Sequence, residues 1–306
     1  MPSFTETMLE RYSDEITVAT QHPFLAAAGR HELARDKLSE WLTQDRCYAL
    51  HGYPKFIASL ISALPLSSFP HQADAHKTLS LLSYALSNID REVTFFDDLS
   101  SKYLVDLEVS PDEEERDNKL KRPIGSLQGQ VLRPTTRAYI DLMIATGAEA
   151  SRNGGNLEEA IVLLWTMEKL YNLAWQYAGS LSPVSSSSRN PSDPRTSAAI
   201  TELIQNWTSD EFGLFVEKCG EEVEKLDLIE GTDAWERAEE MFKYVLYLEQ
   251  RFWPDMYAGP SRGALGSLSR RSSMAMSRRN SENVSGRSSV NLSRRSSFIL
   301  NNISDQ

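Results

Sequence analysis

Apolar residues recur at intervals of three and four along most of the chain between residues 5 and 253, and this periodicity restricts the fold most strongly. Such spacing places side chains on one face of an α-helix. No segment of four to eight residues alternates convincingly between apolar and polar side chains, as a half-buried strand would. The sequence therefore predicts an all-α protein. We predict helices near residues 5–20, 30–63, 72–89, 91–106, 135–151, 157–178, 196–206, 209–226 and 233–253. Pro54 is expected to kink the second helix or to end it one turn early.

Three segments interrupt the helical pattern. Residues 108–130 are charged and broken by Gly and Pro, and residues 180–196 are rich in Ser and Pro, so both are predicted to be surface insertions. Residues 258–306 consist largely of Ser, Arg and Asn and have little apolar surface to bury. We therefore predict a helical domain over residues 1–257, followed by a disordered tail.

Charge is distributed unevenly between these two parts. The chain has a net charge of −11, and the tail carries eight arginines against two acidic residues, so residues 1–257 carry about −17. A domain this acidic is a poor general binder of nucleic acid. The sequence contains no run of eighteen apolar residues, the length needed to span a membrane. Its N-terminal residues do not resemble a signal peptide. A cytoplasmic location is the expectation.

Carboxylates interrupt three of the apolar helical stripes, at Asp45, Glu168 and Glu249. Each has an aromatic residue one helical turn later, on the same face of the helix. Those residues are Tyr48, Tyr171 and Phe252. One such acid is often a helix cap, a snorkelling side chain or the partner of an arginine. Three on separate stripes favour a polar pocket inside the bundle, because an isolated buried carboxylate is costly. Its carboxyls should have raised pKa values and act as acids or bases near neutral pH.

The sequence motifs argue against most cofactors. None of the five histidines has an acidic residue three positions earlier, so a carboxylate-bridged metal pair is not expected. Glycine-rich nucleotide loops are absent from the sequence. His22 precedes Pro23 and is predicted to cap a helix rather than bind haem. Tyr139 and Trp207 are either core residues or walls of the pocket, and in the second case the ligand would be a flat, partly polar ring.

Five segments, in order, resemble the TenA / thiaminase II family over about residues 5–256. They are QHPFLAAAGRHELARDKLSEWLTQDRCYAL, RPTTRAYIDLMIATGAEAS, LEEAIVLLWTMEKLYNLAWQYA, IQNWTSDEFGLFVEKC and FKYVLYLEQRFWPDMY. The resemblance implies a haem-oxygenase-like helical bundle, usually a homo-oligomer, that needs neither haem nor metal. It also implies hydrolysis of aminopyrimidines related to the pyrimidine half of thiamin.

The resemblance also implies roles for individual residues. Asp45 would hold the pyrimidine, Tyr48 and Tyr139 would line the pocket, and Glu249 would protonate the leaving group. Trp207 stands where many members have Tyr, a change that keeps stacking and loses a hydroxyl. Tyr171 is a further predicted pocket residue, because it lies on the same helical stripe as Glu168.

The chain departs from the best-known members at the nucleophile. Their central helix carries a cysteine, whereas this chain has WTMEKLY. Cys47 should face away from Asp45, since two residues turn a helix by about 200°, and Cys219 is expected to be inert. The sequence resembles the branch in which Glu replaces the cysteine, and Glu168 is the candidate. We therefore expect Glu168 to act as a general base, and amide or amine hydrolysis rather than thiamin cleavage.

Two other functions remain open at this point. The chain could be a non-catalytic protein of this fold that binds a ring-shaped ligand and is regulated through its tail. It could also carry out an oxidative reaction on the same fold, with or without haem.

The tail contains three Arg-Arg-x-Ser motifs, which end at Ser273, Ser281 and Ser297. Paired arginines before a serine suit basophilic kinases, and phosphorylation would reverse the charge of the tail and offer a site to a phospho-reading protein. We expect mass spectrometry of the protein from cells to find phosphate on these serines. Unmodified serines at all three positions would contradict this, and a basic tail that is never modified is the alternative.

Overall fold

The computed structural model describes residues 2–66, 73–105, 107, 132–152, 155–181 and 193–257. Every regular element in these ranges is an α-helix, which confirms the predicted fold class. The helices are α1 (Phe4–Arg11), α2 (Ser13–Thr20), α3 (Pro23–Gly29), α4 (Arg35–His51), α5 (Tyr53–Ala63), α6 (Ala73–Tyr103), α7 (Pro134–Ser151), α8 (Leu157–Ser180), α9 (Pro194–Trp207), α10 (Asp210–Glu224) and α11 (Asp233–Phe252). The predicted tail and most of the two predicted insertions lie outside the described residues.

Several predicted helix boundaries were wrong. The helix predicted over residues 5–20 is two helices that meet at Tyr12. The one predicted over residues 30–63 starts later, and it divides at Gly52, close to the break expected at Pro54. Pro54 lies in the first turn of α5, where its missing N–H needs no partner. Conversely, the two helices predicted on either side of residue 90 form one helix, α6.

Local capping explains other boundaries. The short helix α3, which we did not predict, begins at Pro23, and His22 Nδ1 accepts a hydrogen bond from the Phe24 N–H at 3.2 Å, as expected for a cap. The predicted loop 180–196 ends early, since Asp193 caps α9 through the Thr196 N–H at 3.3 Å. Ser209 caps α10.

Helix α8 is the centre of the bundle. It packs against α2, α3, α7, α9, α10 and α11, and its side chains are buried on almost every face. A helix that is apolar all round belongs in an interior. Helices α4, α5 and α6 complete the side of the bundle that holds the pocket. None of the helices in the described residues is long and apolar enough to cross a membrane.

A cluster of tryptophans fills the core beside α8. Trp175 stacks on Trp207 with ring centroids 4.9 Å apart and meets Trp41 edge-on at 5.2 Å. Trp253 joins the cluster through Tyr171, with stacked rings 6.0 Å apart. All four tryptophans are almost fully buried. Because aromatic side chains bury large areas in fixed geometries, this cluster ties α4, α8 and α9 to the end of α11.

Helix α3 lies unusually close to α8. A Cβ atom on Gly29 would lie 2.1 Å from the backbone oxygen of Ala178. Backbone cannot move aside as a side chain can, so the two helices touch here only because residue 29 has no side chain.

We therefore expect Gly29→Ala to lower the free energy of unfolding by about 1–3 kcal/mol through overpacking. The matched control is Gly213→Ala in α10, where nothing lies within 4 Å of the added Cβ. Alanine favours a helix by about 1 kcal/mol over glycine, so the control should keep or raise stability. Thermal or denaturant unfolding of both variants tests this. Equal midpoints for Gly29→Ala and the unchanged protein would contradict the close contact.

Candidate functional site

An internal cavity lies between α4, α5, α6, α7, α8 and the ends of α9, α10 and α11. The space between its walls amounts to about 590 Å³, solvent at the mouth included. Every residue predicted for the pocket lines it. The lining residues are Asp45, Tyr48, Ala49, Tyr53, Asn88, Ile89, Glu92, Tyr139, Met167, Glu168, Tyr171, Trp207, Phe212, Glu249 and Phe252.

The three predicted carboxyls are buried, and each accepts a hydrogen bond from a tyrosine. Tyr171 Oη donates to Asp45 Oδ2 at 2.8 Å, and Tyr139 Oη donates to Glu249 Oε2 at 2.7 Å. Glu168 accepts a hydrogen bond from Tyr53. The three acids are only 4–9% exposed. Each acid thus has one fixed oxygen, and the hydroxyls that hold them come from different helices.

Glu249 has one oxygen without a partner. Its Oε1 is buried and accepts no hydrogen bond from any described residue. Buried polar atoms are nearly always paired, and an orphan costs roughly 1–3 kcal/mol. An orphaned carboxyl oxygen inside a cavity is therefore a natural contact for a donor on a ligand.

Three further polar residues of the cavity, Tyr53, Asn88 and Glu92, were missed from the sequence. Glu92 on α6 accepts a hydrogen bond from the Trp207 indole N–H at 2.6 Å. Tyr53, the donor to Glu168, is the first residue of α5. Glu92 follows Ile89 and precedes Phe96 at helical spacing, so the stripe that located the other acids continues through it.

The remaining lining residues are aromatic or apolar. Tyr48 meets Tyr139 edge-on at 5.6 Å and Phe252 at 6.2 Å. Its hydroxyl lies 3.2 Å from the sulfur of Met167, next to Glu168 in the chain. Trp207 contributes its ring to the opposite side and meets Tyr171 edge-on at 5.1 Å. These ring faces suit a flat ligand.

Burial changes the protonation of all four acids. It raises the pKa of Glu168 to about 8, although the hydrogen bond from Tyr53 lowers that pKa. It raises the pKa of Glu249 and of Glu92 to about 7 each, against hydrogen bonds from Tyr139 and Trp207. The pKa of Asp45 is also well above its usual range, through burial and then the charge of Glu92. The described lining contains no Lys, Arg or His to offset these acids.

The carboxyls do not form a metal-ligand set. No group of three or more His, Cys, Asp or Glu side chains within the described ranges could hold a metal ion. Each acid is instead tied to its own aromatic donor. The site offers separate proton-transfer and hydrogen-bonding groups.

Neither cysteine lines the cavity. Cys47 and Cys219 are both buried free cysteines. Burial, with the nearby charge of Glu168, holds the pKa of Cys219 well above its usual range, so its thiol stays protonated. Glu168, on the central helix α8, does line the cavity.

These raised pKa values make stability depend on pH. The folded protein binds protons to the buried acids more tightly than the unfolded chain, so stability falls as the pH rises from about 4.5 through 7–8. We expect Glu249→Gln to raise the free energy of unfolding by about 1–3 kcal/mol at pH 8 and to change it little at pH 5. Denaturant unfolding at both pH values measures this.

The control for that experiment is Glu240→Gln, on an exposed part of the same helix. It should change stability by less than about 0.5 kcal/mol at either pH. Destabilisation by Glu249→Gln at pH 8 would contradict a raised pKa, because it would mean that the ionised carboxylate is the favoured form in the fold.

Comparison with known proteins gives matches in sequence and in structure. Residues 125–259 match the model of the TENA/THI-4/PQQC family. A protein of Fusarium pseudograminearum, named as a probable transcription factor, is 28% identical over 258 residues, which cover 76% of this chain and 47% of that protein. The chain therefore spans about half the length of this relative.

Solved structures with the same fold include a TenA homologue from Pyrococcus furiosus, with a TM-score of 0.61 and 19% identity over 82% of this chain and 98% of that one. A TenA family transcription regulator from Silicibacter sp. TM1040 aligns with a TM-score of 0.58 and 14% identity, over 82% of this chain and 94% of that one. These matches confirm the predicted resemblance and the haem-oxygenase-like helical bundle.

Proposed function

We propose that this chain, whose helical domain is similar to the TenA family in sequence and fold, hydrolyses aminopyrimidines related to thiamin. The substrates would be an aminomethyl-pyrimidine or its N-acyl derivative, such as the formyl compound. The observation that carries the proposal is the pair of buried acids, Glu168 on α8 and Glu249 on α11, in one aromatic cavity. Both have a pKa near neutrality, as acid–base catalysis requires.

The proposed step on an N-acyl substrate uses one water molecule. Glu168 takes a proton from the water while its oxygen bonds to the acyl carbon. Glu249 gives a proton to the amide nitrogen while the bond between carbon and nitrogen breaks. The products are a carboxylic acid and the aminomethyl-pyrimidine, and solvent returns the proton from Glu168 to Glu249. With the free amine, the water oxygen would bond to the methylene carbon and ammonia would leave.

The other polar groups would hold the pyrimidine. Asp45, fixed by Tyr171, would accept from the ring amine and, when protonated, donate to a ring nitrogen. Tyr48, Tyr139 and Trp207 would contact the faces and edges of the ring. The orphaned Oε1 of Glu249 would face the nitrogen that leaves.

The order of the two pKa values has a kinetic consequence. Catalysis requires Glu168 to be ionised and Glu249 to be protonated. Because the pKa of the base, about 8, lies above the pKa of the acid, about 7, only a minority of molecules have both forms at once. That minority is largest between pH 7 and 8, so we expect a bell-shaped rate profile centred there. A profile still rising at pH 10 would contradict these roles.

Cleavage of thiamin itself should be weak or absent. Displacement at its methylene bridge favours a soft thiolate, and both cysteines lie outside the described lining of the cavity. Product formation from aminomethyl-pyrimidine, its N-formyl derivative and thiamin, followed by mass, distinguishes these possibilities. Thiamin cleavage by the unchanged protein would overturn the assignment of Glu168.

Substitution of the proposed base is the sharpest test. Glu168→Gln keeps the shape of the side chain, and its amide oxygen can still accept the hydrogen bond from Tyr53. The fold should therefore persist, while the rate of hydrolysis falls at least about 100-fold. Glu240→Gln on exposed α11 is the matched control and should keep the full rate. A Glu168→Gln variant with full activity, and unchanged helical circular dichroism, would rule out this residue as the base.

A second candidate function is a non-catalytic, ligand-binding regulator. The names of two similar proteins, a probable transcription factor and a transcription regulator, favour it. Binding of the pyrimidine without turnover, in the same mass assay, would support this candidate. Under either function the cytoplasmic location, the homo-oligomer and the kinase acting on the tail remain predictions.

A further inference from the structure

A second chamber adjoins the first and shares part of its lining. Four residues line both: Asn88, Glu92, Trp207 and Phe212. The others that line the second chamber include Arg91, Asn206 and Glu211, which are exposed. We name the first the inner chamber and the second the outer chamber. Glu92 and Trp207 form part of the wall that the two chambers share.

Two of the three charged residues that line the outer chamber, Arg91 and Glu211, form an ion pair, and the third is Glu92. Arg91 Nη2 lies 3.2 Å from Glu211 Oε1 and donates to Asn88 Oδ1 at 2.7 Å. The guanidinium also lies over the Tyr84 ring, 5.7 Å from its centroid. An anionic substituent would have to compete with Glu211 for Arg91 and would lie near Glu92, so this chamber favours an uncharged substituent over an anion.

Uncharged hydrogen-bonding groups remain available. Asn88 uses its carbonyl for Arg91, and its Nδ2 makes no hydrogen bond within the described part of the chain. The side chain of Asn206 has no partner there either. The rings of Phe95, Trp207 and Phe212 line the same chamber. Amide donors beside aromatic faces suit a carbonyl group attached to an apolar or aromatic body.

We propose that the outer chamber is a binding subsite for an uncharged acyl substituent, larger than formyl, on the substrate amine. This inference rests on the proposed function, because it places the pyrimidine in the inner chamber. Glu92, fixed by Trp207 at the junction, accepts from the N–H of the linking amide, and Asn88 and Asn206 donate to the substituent. The protein thus acts on N-acylated pyrimidines and selects them by the body of the acyl group.

Equilibrium binding separates this inference from the proposed function. The probes are aminomethyl-pyrimidine and its N-acetyl, N-benzoyl and N-succinyl derivatives, measured by calorimetry or quenching of tryptophan fluorescence. We expect the N-benzoyl compound to bind at least about tenfold more tightly than the N-acetyl compound. No binding of any probe would reject the proposed function as well. Equal binding of the N-acetyl and N-benzoyl compounds would reject only the outer subsite.

Variants locate the subsite. Asn206→Ala should weaken N-benzoyl binding threefold to tenfold more than it weakens binding of the free amine, about the loss of one hydrogen bond. Gln205→Ala, at the exposed neighbouring position, is the matched control and should change neither affinity. Tighter binding of N-succinyl than N-benzoyl, lost in Arg91→Gln, would overturn the proposal, because it would show that the outer chamber binds anions.

Discussion

Burial of four carboxyls around one cavity, with no cationic side chain in the described lining, is the constraint on which the rest of this structure depends. Ionised acids at this density repel one another and lose hydration. The fold tolerates them because each has an aromatic hydrogen-bond donor: Tyr171, Tyr139, Tyr53 or Trp207. Those donors are ring systems that the core packs tightly, so the carboxyls are held in place by the same residues that bury them.

The aromatic cluster therefore has two tasks that cannot be separated. Trp207 stacks on Trp175 in the core and also donates its indole N–H to Glu92 in the cavity. Tyr171 stacks on Trp253 and donates to Asp45. A substitution chosen to alter the pocket at either residue also removes core packing. Conversely, the rigidity of the core fixes the distance between α8 and α11, which sets the separation of Glu168 and Glu249.

The sequence predicts the acids on unbroken stripes and misses those beside a wrongly placed boundary. Asp45, Glu168 and Glu249 each follow several turns of a periodic helix, so a polar residue among apolar ones is visible there. Glu92 has the same spacing, but a helix boundary predicted at residue 90 separated it from Ile89. Tyr53 begins α5, so no preceding turn of helix shows which way it faces. Contacts between helices, such as Tyr53 to Glu168, depend on packing that no local pattern contains.

The raised proton affinity of the cavity also links ligand binding to buffer composition. Glu92 and Glu249 have a pKa of about 7, so near neutral pH each is protonated in about half of the molecules. A ligand that donates to one of them favours its ionised form, and a proton then passes to the solvent. The heat of complex formation will consequently contain the ionisation enthalpy of whichever buffer accepts that proton, and measurements in phosphate and in Tris will differ for the same ligand.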